Sequence, residues 1–248
     1  MYERIQVKQI NDHIWLLDDN GDSTGYLVTG EKSGLIIDTM TGYENVRAVA
    51  EKITDLPLAV INTHGHPDHI YGNVYFEKVH IHPADIAVAE RFYQDPVFVQ
   101  AIKETGLHPA EFVPVTEGKV FDLGGIELEV YELPGHTPGG IALLDRKDRI
   151  LFPGDSILEQ TWMQLPECLP MEQFLESLKR IQILRSEFDY LLTGHGSELV
   201  DASFCEVHLK AVEEVCMGKK DNDVPYTWFG GTCMAHPYGK EPRRIVYK

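Results

Sequence analysis

The run His64-Gly65-His66-Pro67-Asp68-His69 places three imidazoles and a carboxylate within six residues. Imidazole nitrogen and carboxylate oxygen are donors that borderline and hard divalent cations take, and fixing such an ion requires several of them to converge from supported loops. His64 and His66 lie two apart, so an extended segment can aim both at one centre, while Asp68 and His69 follow Pro67, where a change of chain direction is expected. Alone, HGHPDH reads equally as a surface histidine cluster. Three further positions alter the balance. His136 in PGHTPGG, Asp155 in FPGDS and His195 in LTGHGS each follow an apolar run through a glycine, the residue that permits close backbone approach and unusual dihedrals.

Short apolar elements must deliver these side chains. Leu58-Ala59-Val60-Ile61-Asn62 has the length of a buried strand and leads directly into the histidine run, which therefore sits on a loop at a strand's C-terminal end. The alternation of residues 126–133 stops at Pro134-Gly135-His136, residues 149–152 stop at Pro153-Gly154-Asp155, and residues 190–193 stop at Gly194-His195. Residues 5–10 and 14–17 read as an opening hairpin about Asn11-Asp12, and residues 25–28 and 35–37 as a second strand pair. Helices are predicted over residues 43–54, 83–106 with an interruption near Asp95-Pro96, 171–185 and 203–217, and short strands over 79–81 and 244–247. Hairpins passing into βα units, then a second such run, predict an α/β fold of two face-to-face sheets with helices outside. One domain over residues 1–248 is expected, since no long Pro/Gly/Ser linker, fixed-period repeat or low-complexity segment interrupts the chain.

HGHPDH together with the later PGHTPGG, GD and GH elements resembles the metallo-β-lactamase superfamily, and the likeness runs from Gly25 to beyond His195. The resemblance implies the four-layer αββα sandwich of that family and a dinuclear centre, with His64, His66 and His136 on a first metal, Asp68, His69 and His195 on a second, and Asp155 bridging them. It implies two divalent ions, zinc first with iron or manganese as alternatives, and a bridging hydroxide as nucleophile, Asp68 orienting it or passing a proton. Asp38, in IIDTM, matches the family's early aspartate, which supports the metal loop from behind; by its type alone it also reads as a turn or helix-capping residue.

Departures narrow the chemistry. Asp155 stands where typical β-lactamases of this fold carry a cysteine or lack the bridging carboxylate, and His66 stands where flavodiiron relatives carry an acid. The full set resembles glyoxalase II and lactonases of similar length, which implies hydrolysis of an ester, thioester or lactone of a small molecule. Residues 156–166, SILEQTWMQLP, lack the glycine-rich basic stretch of glyoxalase II, and Leu158 replaces the tyrosine that lactonases place three residues after the bridging aspartate. Tyr71, Tyr226 and Tyr238 are the alternative hydroxyls, each also readable as packing. Trp162, Met163 and Leu165, with Trp228 and Phe229, are candidate pocket walls. The competing readings are a mononuclear iron persulfide dioxygenase and a small-substrate phosphodiesterase.

A formal charge of −17 makes nucleic acid and anionic membranes unfavoured partners. The first fifteen residues hold no continuous apolar stretch and no run approaches a bilayer span, so a cytoplasmic protein without a membrane segment is expected. Cys168, Cys205, Cys216 and Cys233 are scattered without CxxC spacing and read as structural thiols. His13, His80, His82, His108, His208 and His236 read as surface or structural histidines. Oligomeric state has no signature in the sequence.

Overall fold

A computed structural model describes residues 4–248. The first sheet takes its strands in chain order: β1 (Ile5–Gln9), β2 (Ile14–Asp19), β3 (Thr24–Thr29), β4 (Gly34–Ile37), β5 (Leu58–Ile61), β6 (Lys78–Ile81) and β7 (Glu111–Pro114). It is antiparallel up to β4 and parallel from β4 to β7. The hairpins can be short because antiparallel neighbours need only a turn, whereas the parallel strands require crossovers. Those crossovers supply α1 (Val46–Ala50), α2 (Pro67–Ile70), α3 (Pro83–Tyr93) and α4 (Pro96–Thr105).

The second sheet contains β8 (Val120–Asp122), β9 (Glu127–Glu132), β10 (Ile141–Asp145), β11 (Ile150–Phe152), β13 (Tyr190–Leu191) and β14 (Val200–Asp201), in the order β14-β13-β11-β10-β9-β8. β10 is antiparallel to both β9 and β11, and β11 is parallel to β13. The C-terminal ends of β9, β11 and β13 therefore lie on one side of the sheet, and these are the ends that carry His136, Asp155 and His195.

Four layers follow from where the apolar faces are buried. Ile14, Leu16, Val28, Leu35, Ile37 and Ile61 of the first sheet meet Leu128, Val130, Ile141, Leu143, Ile150 and Phe152 of the second in one core. The opposite face of the first sheet packs on α1, and that of the second on α5 (Met171–Ile183) and α6 (Phe204–Cys216). The αββα architecture expected from the sequence is the one observed. No helix among the described residues is long and apolar enough to cross a membrane.

Two features differ from the sequence reading. The helix expected over residues 43–54 is only Val46–Ala50. Asn45 caps it, accepting from the Ala48 amide at 3.0 Å, and the Lys52 and Ile53 amides bond three residues back, which tightens the end into turns. A third sheet, β12-β17-β16-β15, is added beside the second half: β12 (Gln160–Met163), β15 (Val224–Trp228), β16 (Gly231–Pro237) and β17 (Arg244–Tyr247). Its parallel β12–β17 pair joins residues more than eighty positions apart, a pairing that no local pattern announces.

Candidate metal centre

β4 and β5 run parallel and end together, and one carboxylate holds the two loops that leave them. Asp38 accepts from the Thr63 amide and the Thr63 hydroxyl, both at 2.7 Å, and Oδ2 lies 2.9 Å from His69 Nδ1. Asp38 itself adopts φ +61°, a left-handed conformation that aspartate tolerates better than most residues. The proton of His69 is thus drawn to Nδ1, leaving Nε2 turned inward.

A second buried carboxylate ties the histidine loop to the loop after β9. Asp85, in the first turn of α3 and fully buried, accepts from the Gly65 amide at 2.8 Å, the Thr137 hydroxyl at 2.7 Å and the Gly139 amide at 2.6 Å. Burial raises its carboxyl pKa against these three hydrogen bonds. His64 and His66 are thereby fixed relative to His136, whose Nδ1 donates to the Trp162 carbonyl at 2.6 Å.

The loops after β11 and β13 meet at two glycines. Gly154 has φ +55°, and a Cβ there would strike the Thr63 side chain; a Cβ on Gly194 would collide with Asp155 Oδ1. These glycines let Asp155 and His195 close onto the histidine loop.

All seven expected residues come together. Ligand atoms of His64, His66 and His136 lie within 4.8 Å of one another, as do those of Asp68, His69 and His195. Asp155 stands between the two groups: Oδ1 is 3.4 Å from His69 Nε2, and Oδ2 is 3.2 Å from His195 Nε2 and 3.8 Å from His136 Nε2. Asp68 Oδ2 is 3.3 Å from His195 Nε2. His66 Nδ1 faces His136 Nε2 at 2.9 Å, so two nitrogens point into one space.

The protein alone leaves this convergence unsatisfied. His64 Nε2, His69 Nε2 and Asp155 Oδ1 are buried without a hydrogen-bond partner. Such orphaned groups are costly, and here they aim at common centres, as a donor set around cations does. The residues fit a pair of divalent ions by donor type, by number and by this orphaning.

Charge sorts the two halves. Burial pushes His64 well below the usual imidazole range, with the neighbouring His69 and His66 adding to it, and His136 falls to about 4 by burial beside His66. These rings present neutral lone pairs. Burial opposes charge on His195 and His69 too, but Asp155 and Asp68 outweigh it, lifting His195 to about 10 and His69 well above its ordinary value. Reciprocally, burial is overcome at Asp68, held down to about 2 by His69 and His195, and at Asp155, held well below the carboxylate range by the same pair. The second half therefore holds ionised carboxylates paired with charged imidazoles, and ligation of a cation there would release the imidazole protons.

Glu167 escaped the sequence reading. Oε1 lies 2.7 Å from His66 Nε2 and Oε2 lies 2.9 Å from Arg91 Nη2. Burial disfavours its charge, but the hydrogen bond from His66 and the nearby Arg91 hold the carboxyl down to about 2.

In front of the centre is a cavity of about 1340 Å³ into which His66, Asp68, His136, Asp155 and His195 open. Asp68 and His195, each with 35% of its side chain exposed, are its most accessible polar groups from the cluster. Trp162, Leu165, Leu158, Trp228 and Phe229 line it, whereas Met163 turns into the core. Of the candidate hydroxyls, Tyr71 lines the cavity, Tyr226 meets Trp162 edge-to-face, and Tyr238 is buried with its hydroxyl on the Leu158 carbonyl. His208 is also structural, its Nε2 on the Thr161 hydroxyl at 2.8 Å.

Known proteins resemble this chain in sequence and in fold. The sequence profile of the metallo-beta-lactamase superfamily matches residues 18–195. The chain is 29% identical over 196 residues to the acyl-coenzyme A thioesterase MBLAC2 of Gallus gallus, covering 68% of this chain and 71% of that one. It is also 29% identical over 185 residues to a hydroxyacylglutathione hydrolase of Mesorhizobium japonicum, covering 74% and 66%. Among solved structures, DIM-1 metallo-beta-lactamase superposes with a TM-score of 0.65 at 20% identity, over 86% of this chain and 98% of that one, a likeness of fold.

Proposed function

The chain belongs to the metallo-β-lactamase superfamily, and on that premise we propose that it is a dinuclear hydrolase cleaving the carbonyl of a small-molecule ester, thioester or lactone. The observation that carries this reading is the convergence of inward-facing atoms on His64, His69 and Asp155 that are left without a hydrogen bond, flanked by the donors of His66, His136, Asp68 and His195. His64, His66 and His136 would hold one ion, Asp68, His69 and His195 the other, and Asp155 both; zinc suits the imidazole-rich set.

A bound pair of divalent ions supplies a low-pKa water and a Lewis acid for the scissile carbonyl. The chain does the rest. Asp155, Asp38 and Asp85 fix the loops so that no reorganisation is needed at reaction. Asp68, which reaches the cavity, would orient the attacking water or pass a proton to the leaving oxygen or sulfur. The apolar walls exclude bulk water from that exchange.

A single-iron dioxygenase would leave Asp68, His69 and His195 without a task, and an acidic chain with an acid-rimmed cavity disfavours a phosphodiester polymer. Its relatives, an acyl-coenzyme A thioesterase among them, support carbonyl hydrolysis. The test is a screen of ester, thioester, lactone and phosphodiester substrates with zinc-loaded protein and Asp155→Ala. Turnover of a carbonyl substrate by the parent and not the variant is expected; turnover of bis-p-nitrophenyl phosphate alone would overturn the assignment.

A further inference from the structure

We infer that the group this chain recognises is an uncharged, apolar acyl chain laid against an aromatic wall of Trp162, Trp228 and Phe229, and that polyanionic carriers are discriminated against. The inference rests on the hydrolase reading and names the substrate class for that same centre.

The wall is attached to the centre. Trp162 gives its backbone carbonyl to His136 Nδ1 at 2.6 Å, while its ring lies 5.6 Å from that of Trp228 and 5.9 Å from that of Phe229. Trp228 and Phe229 are themselves edge-to-face at 4.7 Å. They sit where β15 turns into β16, with Trp228 paired to Gly231 across the turn. β16 pairs with β17, and β17 pairs with β12, the strand that bears Trp162, so one sheet carries all three rings. Phe92 continues the apolar surface on the opposite side, its ring 5.8 Å from that of His66.

Trp162 and Trp228 are partly buried, whereas the exposure of Phe229 has no internal explanation. Phe229 is 90% exposed although it neighbours two tryptophans at a cavity mouth. An apolar cluster left open to water at the entrance of a centre is a surface that gains by covering. The hairpin lies beyond residues 18–195, the part of the chain that matches the superfamily profile.

Charge selects among apolar ligands. Among the described residues lining the cavity, Arg91 is the one arginine or lysine, and Glu167 holds it at 2.9 Å. The acids Glu159 and Glu198 of the same lining engage Arg243 and Lys8. The phosphates of a coenzyme A carrier, or the carboxylates of glutathione, would meet acids and committed cations in a protein of formal charge −17.

The experiment compares acetyl, butyryl and octanoyl thioesters of uncharged N-acetylcysteamine with octanoyl-coenzyme A, using zinc-loaded protein. Burial of each methylene is worth roughly a fourfold gain, so with only part of the chain buried kcat/KM is expected to rise by at least about tenfold from acetyl to octanoyl. Octanoyl-coenzyme A is expected to be the poorer octanoyl substrate, and Phe229→Ser with Trp228→Ser to bring the octanoyl-to-acetyl ratio close to one. A flat chain-length series, or preference for the coenzyme A ester, overturns the inference while leaving the hydrolase reading intact. Absence of all turnover would count against the hydrolase reading, and the wall is then judged by binding. The ketone analogue of the octanoyl thioester, with CH2 in place of sulfur, should quench tryptophan fluorescence saturably in the parent and not in the double variant. No saturable quenching overturns the inference.

Discussion

Glu167 Oε1 lies 2.7 Å from Nε2 of His66, whose Nδ1 in turn faces His136 Nε2 at 2.9 Å. Because the ionised Glu167 can only accept, the His66 proton is held on Nε2 and the Nδ1 lone pair is left for the centre. Partners of this kind orient a ligand ring and raise its basicity, and their removal typically costs ten- to a hundredfold in metal affinity. Glu167→Ala is accordingly expected to weaken zinc binding by roughly ten- to a hundredfold in a chelator competition titration, with Glu167→Gln intermediate because it still accepts the hydrogen bond. Unchanged affinity in both variants would show that the contact is incidental.

Asp85 joins two ligand loops through three donors in a fully buried setting. Hydrogen bonds to a charged group contribute on the order of 1.5–3 kcal/mol each and are not additive, and their loss strands two buried amides. Asp85→Ala is expected to cost about 3 kcal/mol or more in urea unfolding. A cost under about 0.5 kcal/mol, the range of an ordinary surface change, would mean that the loops are held by other contacts.

The contrast between these residues shows what a sequence can reveal. His64, His66, Asp68 and His69 are legible because a metal loop concentrates unusual residue types in a short run, and His136, Asp155 and His195 because each follows an apolar strand through glycine. Glu167 and Asp85 are ordinary acids made special by partners distant in the chain, 101 and 54 positions away at His66 and Gly139. Asp85 in particular reads as a favourable acid in a helix's first turn. The double sheet was legible from strand periodicity. The third sheet was not, because the β12–β17 pairing is set by tertiary contact, although Thr161 and Met163 alternate inward against Gln160 and Trp162.

Acid stability provides an independent check away from the centre. Burial holds His208 down to about 3, among Phe174, Phe204 and Tyr238. Its folded pKa lies below the ordinary 6.5, so the unfolded chain binds this proton more readily; the cost is absent above about pH 6.5 and grows as pH falls toward 3. The slope is on the order of 1 kcal/mol per pH unit. His208→Gln should therefore lose less stability than the parent between pH 7 and pH 5 in urea titrations. Parallel pH dependences would contradict burial of a neutral imidazole.

Asp155 touches both halves of the centre, so its loss should damage hydrolysis more than it damages folding. Asp155→Ala is expected to lower kcat/KM on a thioester or ester by at least about a thousandfold, roughly 4 kcal/mol of transition-state stabilisation, while circular dichroism stays that of the parent. A variant retaining more than about a tenth of the activity would exclude Asp155 from the reacting centre.

Metal content tests the account most directly. Protein loaded with zinc, desalted and analysed by mass spectrometry for metal against amino-acid concentration is expected to hold two ions per chain, with Asp155→Ala and His195→Ala each holding fewer. One ion or none in the parent, with the variants indistinguishable from it, would contradict a dinuclear centre built from these seven side chains.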